Sequence, residues 1–414
     1  MQLLLLFISS VAAQQFYMST PPPDETLDFI EKLTANPNHD PLVIVPGVTS
    51  SRLEYKKQND KSFSNLWMVI RRTIPGWLGT YIDEVSPRYY PENDTYASKP
   101  GLTVQPVEFG KMTAVLCIDP QVCSKTAVFA TAFEALKKVG YKEGVDLFAA
   151  PYDFRIAGVN QVLTNGMFSR LKGLIEKASS LNGGKKVHIL GHSAGAPFLR
   201  HFLVNYVNQE WKDRYVQSFI AVGGPFAGSA LAFRMLATYS KWVLPTVGAK
   251  DTYNLARFFA QLHWLLPQPA ANPPDETLGF VTTTGMRFTV RNQTEVWRLT
   301  NRDSMYQAIT RTLQRNNEFK APRVPMHVLY SLGHETAASF RYESTKQPWW
   351  QQEPTKTIYK DGDGTVTADS LLSPKRWVSE QSQPIDFKQI QNADHVTILA
   401  TQEFLSALLG IITH

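Results

Sequence analysis

Gly191-His192-Ser193-Ala194-Gly195 spells G-x-S-x-G, the turn that lifts a serine hydroxyl clear of a sheet between a strand and a helix. The flanks suit that role. Val187-His188-Ile189-Leu190 reads as a short buried strand. Residues 196–207 read as a helix, with Phe198, Leu199, Phe202, Leu203 and Tyr206 along one stripe. A strand-to-helix turn this tight crowds the backbone around it, and glycines at 191 and 195 carry no Cβ to clash. The competing reading is a Gly/Ser turn without chemistry.

Working outward, the chain keeps alternating strand and helix. Residues 41–45, 145–150, 216–222, 324–330 and 386–390 read as strands. Residues 126–139, 161–178 and 396–409 read as helices. That alternation predicts an α/β protein with a mainly parallel sheet wrapped by helices, of the α/β-hydrolase type given the serine turn. Residues 56–100 are irregular and read as a lid or membrane-binding segment. Residues 226–322 lack the alternation and read as an inserted cap.

A serine hydroxyl needs a base, and the base needs an orienting acid. In this fold the order along the chain is Ser, acid, His. His39, His188, His192, His201, His263, His327 and His334 come too early. His395 sits in a loop between the last strand and the closing helix, while His414 ends the chain. The acid falls in Asp361-Gly362-Asp363-Gly364-Thr365-Val366, with Asp363 first choice and Asp361 second. This segment resembles the start of a calcium loop, but Leu372 stands where the closing Glu belongs. No metal and no cofactor is expected. The oxyanion needs two N–H donors, expected from Ala194 and from Val48 in the turn after the first strand.

Composition bounds the rest. The chain has 414 residues, 43% hydrophobic and 19% charged, enough for one large domain with insertions. Its formal charge of +6 comes without a Lys/Arg block. This suits an anionic lipid surface or a merely solvated basic face, and argues against nucleic acid. Leu3–Ile8 followed by Val11-Ala12-Ala13 reads as a signal peptide over residues 1–13, leaving 14–414 as the catalytic domain. No other apolar run is long enough to span a bilayer. Asn93 and Asn292 head glycosylation triplets, and Cys117 and Cys123 are candidates for a local disulfide or for free thiols. These features point to the secretory pathway, with an extracellular or lysosomal destination.

The chain resembles the lecithin:cholesterol acyltransferase family, nearest its lysosomal phospholipase A branch. The likeness spans most of residues 41–409. It rests on Val45-Pro46-Gly47 with Arg52-Leu53-Glu54, Ala150-Pro151-Tyr152-Asp153-Phe154-Arg155, the serine turn, and Trp211–Tyr215. It rests also on Gly223–Gly228, Asp361–Val366 and Asp394-His395. The resemblance implies a Ser193–Asp363–His395 triad, with oxyanion donors at Val48 and Ala194. It implies acyl transfer from a glycerophospholipid, at a membrane or lipoprotein surface, to water or a lipid alcohol. The chain departs from the family in having no cysteine in 56–80, where members close a lid loop with a disulfide.

Leu66, Trp67, Trp77 and Leu78 are candidate lipid contacts; packing in a core is the alternative. Trp349 and Trp350 pose the same choice. Asp153 and Arg155 read as a structural ion pair. A silent lipid carrier and an esterase for small soluble esters remain the rival functions.

Overall fold

The computed structural model describes residues 21–413 apart from 75, 165, 241–246, 317, 345 and 346. The signal-peptide reading and His414 therefore lie outside the described residues. Six strands form the central sheet: β1 Leu42–Val45, β2 Leu147–Ala149, β3 Val187–His192, β4 Val216–Val222, β5 Met326–Tyr330 and β6 Ile385–Gln389. They lie in the order β6-β5-β4-β3-β1-β2, and every neighbouring pair is parallel. These are the six strands expected from the sequence. β1, β2 and β3 are buried along their whole length, which is why they appear as short, nearly continuous apolar runs.

The crossovers carry α1 Ala130–Lys138, α2 Met167–Leu181, α3 Gly195–Asn205 and, after β6, α4 Gln402–Ile412. α2 packs on β1, β2 and β3; α3 packs on β1, β3 and β4; α4 packs on α1. Two expected helices are broken. The helix read over 161–178 is split into Val159–Thr164 and α2 around Gly166, whose φ of +72° is left-handed. The helix read over 396–409 is a 3₁₀ turn, Thr397–Ala400, followed by α4. Thr401 Oγ1 caps α4 by accepting the Phe404 N–H at 3.2 Å.

Two additions flank the carboxyl ends of the strands. Residues 53–57, 64–67 and 102–106 make a three-stranded antiparallel sheet, with a helix at Leu78–Val85 and a ribbon, Arg88–Tyr90 with Thr95–Ala97, between. A second, four-stranded sheet joins Met286–Thr289, Thr277–Val281, His334–Tyr342 and Lys356–Gly362. None of these four strands was read in the sequence; the first two lie in the segment read as the cap. His334–Tyr342 buries small Thr336, Ala337 and Ala338 in its middle and alternates only over Phe340–Tyr342, and Lys356–Gly362 is exposed over much of its length, so neither has a sustained apolar period. The acidic turn at 361–366 thus grows out of the end of an edge strand of this second sheet.

Candidate active site

β3 delivers Ser193 at its carboxyl end, in the crevice where open α/β sheets place their ligands. Ser193 has φ +53°, a left-handed conformation that costs a serine about 1–3 kcal/mol. Its N–H donates to Val222 O on β4 at 2.8 Å, which ties the turn to the sheet. The flanking glycines are required by space. A Cβ on Gly191 would sit 2.8 Å from Ala196 N, and one on Gly195 would sit 2.7 Å from Pro46 O.

His395 reaches the same point from the loop after β6. Asp394 Oδ1 shapes that loop by accepting the N–H groups of Val396 at 2.9 Å and Thr397 at 2.8 Å. His395 Nε2 lies 2.8 Å from Ser193 Oγ, and its Nδ1–H donates to Asp363 Oδ2 at 2.7 Å. With the proton on Nδ1, the Nε2 lone pair faces the serine hydroxyl, the arrangement a general base requires. The carboxylate is itself fixed. Its Oδ1 accepts from Thr365 N at 3.0 Å and Val366 N at 2.7 Å, leaving Oδ2 for the imidazole. All three side chains are buried. Burial works to lower the imidazole's proton affinity. The charge of Asp363 and its hydrogen bond, with Asp394 adding, outweigh it and raise the pKa above the ordinary 6.5.

The alternative acid is elsewhere: Asp361 Oδ1 accepts the Gly333 N–H at 2.7 Å. His334 opens the neighbouring strand, where its backbone is bridged to Asp363. Thr336, fully buried on that strand, accepts Gly364 N at 2.8 Å and donates to His334 O at 2.9 Å, bracing the acid turn.

The turn after β1 closes over the serine. Ser50 N donates to Gly47 O at 3.2 Å, and Thr49 takes φ +64°. Among the described residues, neither the Val48 nor the Ala194 N–H donates a hydrogen bond. Val48, Thr49 and Ser50 line a pocket with Ser193 and His395. The arrangement offers free N–H groups beside the serine, as a developing oxyanion needs. Tyr152, from the Ala150–Arg155 segment, donates from its hydroxyl to Pro46 O at 3.2 Å behind this turn.

Two residues expected at a lipid surface belong to the core. Leu66 and Trp67 are fully buried. Trp67 Nε1–H donates to Thr49 O at 2.8 Å, and its ring meets Phe154 and Phe259 edge-on. Trp67 therefore supports the turn after β1 from behind, a buried indole with its N–H satisfied. Trp77 is 62% exposed and Leu78 half-buried. Trp349 is buried against Phe288 and Tyr342.

Arg155 is fully buried and pairs with Asp153 through two bonds, Nε to Oδ1 at 2.9 Å and Nη2 to Oδ2 at 2.7 Å. It also donates to Val85 O and Ser98 Oγ, both at 3.0 Å. This pair ties the segment after β2 to the 78–98 region and does not reach the serine. Cys117 and Cys123 form a disulfide. Its loop carries Ile118, a wall of the serine pocket, and Asp119, whose Oδ2 accepts Ile70 N at 2.9 Å. Asn93 is exposed. Asn292 Nδ2 is engaged, donating to Arg287 O at 3.1 Å.

The fold and this serine–histidine–aspartate chain define an α/β-hydrolase. A crystallised chain of the Tle4–Tli4 complex shares the fold, with a TM-score of 0.51 and 12% identity over 90% of this chain and 98% of that one. The sequence profile of the family described as lecithin:cholesterol acyltransferase matches residues 62–320 and 313–402. The chain belongs to that family. Human lysosomal phospholipase A and acyltransferase is 28% identical over 386 residues, covering 90% of each chain. Mouse phosphatidylcholine-sterol acyltransferase is 26% identical over 386 residues, covering 90% of this chain and 85% of the relative. A lecithin-cholesterol acyltransferase-like protein of Arabidopsis thaliana is 28% identical over 400 residues, covering 89% and 88%.

Proposed function

We propose that the chain is a serine-dependent lipid acyltransferase and phospholipase A. The observation that carries the reading is the hydrogen-bonded chain Ser193 Oγ–His395 Nε2–Asp363 at 2.8 and 2.7 Å, in a member of this family. Ser193 Oγ attacks the ester carbonyl of a glycerophospholipid while His395 Nε2 takes the hydroxyl proton. The N–H groups of Val48 and Ala194 receive the oxyanion. Collapse of the tetrahedral intermediate breaks the ester C–O bond; His395 returns its proton to the departing lysophospholipid oxygen, and the acyl group stays on Ser193. Water or an alcohol then repeats the sequence, giving a fatty acid or an acylated alcohol. The relatives' names, a phospholipase and a sterol acyltransferase, support both outcomes.

Residues 56–100 act as the lipid-facing lid in this reading, through Trp77 and Leu78, and residues 226–322 as the cap. An exposed indole suits the headgroup boundary of a membrane. No helix among the described residues is long and apolar enough to cross one. Residues 1–13 direct the chain into the secretory pathway, to the outside or the lysosome, and Asn93 carries a glycan.

The test is to incubate the purified protein with labelled phosphatidylcholine liposomes, with and without a sterol or ceramide acceptor. The proposal expects labelled fatty acid, and labelled ester when acceptor is present, with both lost in Ser193→Ala. Liposome binding without either product would support the carrier reading. Cleavage of soluble esters alone would support the small esterase.

A further inference from the structure

His192 precedes the nucleophile, and the acyl-transfer steps above leave its side chain without a task. It is buried, and its Nε2–H donates to the backbone carbonyl of His395 at 2.9 Å. A carbonyl only accepts, so the proton sits on Nε2. Phe129 meets the ring edge-on at 6.0 Å, and the His192 and His395 rings stand 5.4 Å apart. Burial first, and then the neighbouring His395, push the His192 pKa down to about 3, with the bond to the carbonyl offsetting only part. Burial thus favours the neutral ring, with its one N–H on Nε2.

We propose that His192 is a positioning residue that ties the backbone of the general base directly to the strand carrying the nucleophile. The inference rests on the reading of Ser193 and His395 as nucleophile and base. The His395 backbone is held at two points. Its N–H donates to Asp363 O at 2.9 Å, and its carbonyl accepts from His192 at 2.9 Å. The first bond links the backbone of the base to that of its acid. The second links it to β3, one residue from Ser193. Without the second, the one direct hydrogen bond left between His395 and the Ser193 turn is the Oγ–Nε2 bond, which must break and reform in every turnover. Neutrality matters as well. His395 becomes a cation in the transition state, and a charged donor 5.4 Å from its ring would oppose that. A histidine neutralised by burial supplies an N–H without a charge.

Three variants test this: His192→Phe keeps the ring and loses the donor, His192→Gln keeps a donor of similar reach, and His192→Asn carries one that is too short. The readouts are kcat and KM on p-nitrophenyl butyrate, the rate of Ser193 labelling by a fluorophosphonate, and Tm. A misplacement of about 1 Å costs about 100-fold in rate. His192→Phe and His192→Asn should therefore lose about that factor in kcat and in labelling rate, with KM little changed. His192→Gln should recover at least about tenfold of the loss on the same scale. The proposal is overturned if His192→Phe or His192→Asn labels as fast as wild type. It is also overturned if His192→Gln melts like wild type yet is as slow as His192→Asn, a comparison that holds even where His192→Phe does not fold. Wild-type protein that labels with fluorophosphonate but leaves phospholipid intact would sink the lipid reading and leave this test standing.

Discussion

Replacing Asp363 by Asn changes one atom's chemistry and inverts a proton's position. Asp363 Oδ1 accepts two backbone N–H groups, from Thr365 and Val366, while Oδ2 faces His395 Nδ1 at 2.7 Å. In the variant the amide oxygen keeps the two backbone donors, because an NH₂ group there would meet two N–H groups. The NH₂ is then directed at Nδ1, which must accept, so the imidazole proton moves to Nε2 and faces Ser193 Oγ. The base is lost with the geometry intact. The same inversion in a serine protease triad costs about 10⁴ in kcat, or about 5.5 kcal/mol of barrier at 1.36 kcal/mol per decade. The acid limb of kcat/KM moves too. In the wild type the limb reports His395, whose pKa lies above 6.5, and activity rises as the imidazole loses its proton. Without the carboxylate, burial is the dominant influence and the limb falls below that value. The stability sign follows. A raised histidine pKa stabilises the fold below its unfolded value and loses that contribution as pH rises through the folded one. Asp363→Asn should therefore lose more Tm, relative to wild type, at mildly acidic pH than at alkaline pH. Hydrolysis of p-nitrophenyl butyrate across pH, with parallel melting curves, measures all three. Activity within tenfold of wild type, or an unmoved acid limb, would refute the assigned acid.

Other residues give separable outcomes. Arg155→Met strips a buried carboxylate of its bidentate partner and should destabilise by about 3–5 kcal/mol in urea denaturation, with the residual folded enzyme still labelled at Ser193. Trp77→Ala, at an exposed site, should weaken sedimentation with liposomes and leave soluble-ester turnover unchanged. Trp67→Ala should do the reverse, lowering stability by about 3–5 kcal/mol and slowing the soluble ester as the oxyanion turn loosens. Asn93→Gln should remove a glycan detected by mass spectrometry.

How far the sequence could be read depended on where the deciding partner lies. Strands β1 to β5 were legible because a strand buried in a parallel sheet is largely apolar on both faces and bounded by turns, while β6, at the edge, shows instead an alternation of half-buried and exposed residues. Residues 334–342 and 356–362 were not, since the first buries small Thr336, Ala337 and Ala338 in its middle and alternates only over Phe340–Tyr342, and the second is an exposed edge. Leu66 and Trp67 were misread because an apolar aromatic run looks the same in a core as on a lipid surface. What separates the two is the Thr49 carbonyl, close to Trp67 in space and 18 residues away in the chain. Ser193, Asp363 and His395 could be named because their order and local turns are distinctive. Tyr152, Thr336 and His192 act by holding backbone, and only coordinates show which backbone. His192 finds its partner 203 residues on.

The proposed chemistry places a covalent acyl group, drawn from a phospholipid, on Ser193. Acid-quenching the protein during turnover of phosphatidylcholine liposomes, then digesting it and weighing the peptide that spans Gly191–Gly195, tests it directly. This peptide should gain the mass of one fatty acyl chain, and the added mass should disappear in Ser193→Ala and decrease when an alcohol acceptor is supplied. Fatty acid release with no acyl mass on that peptide, or release that persists in Ser193→Ala, would contradict it.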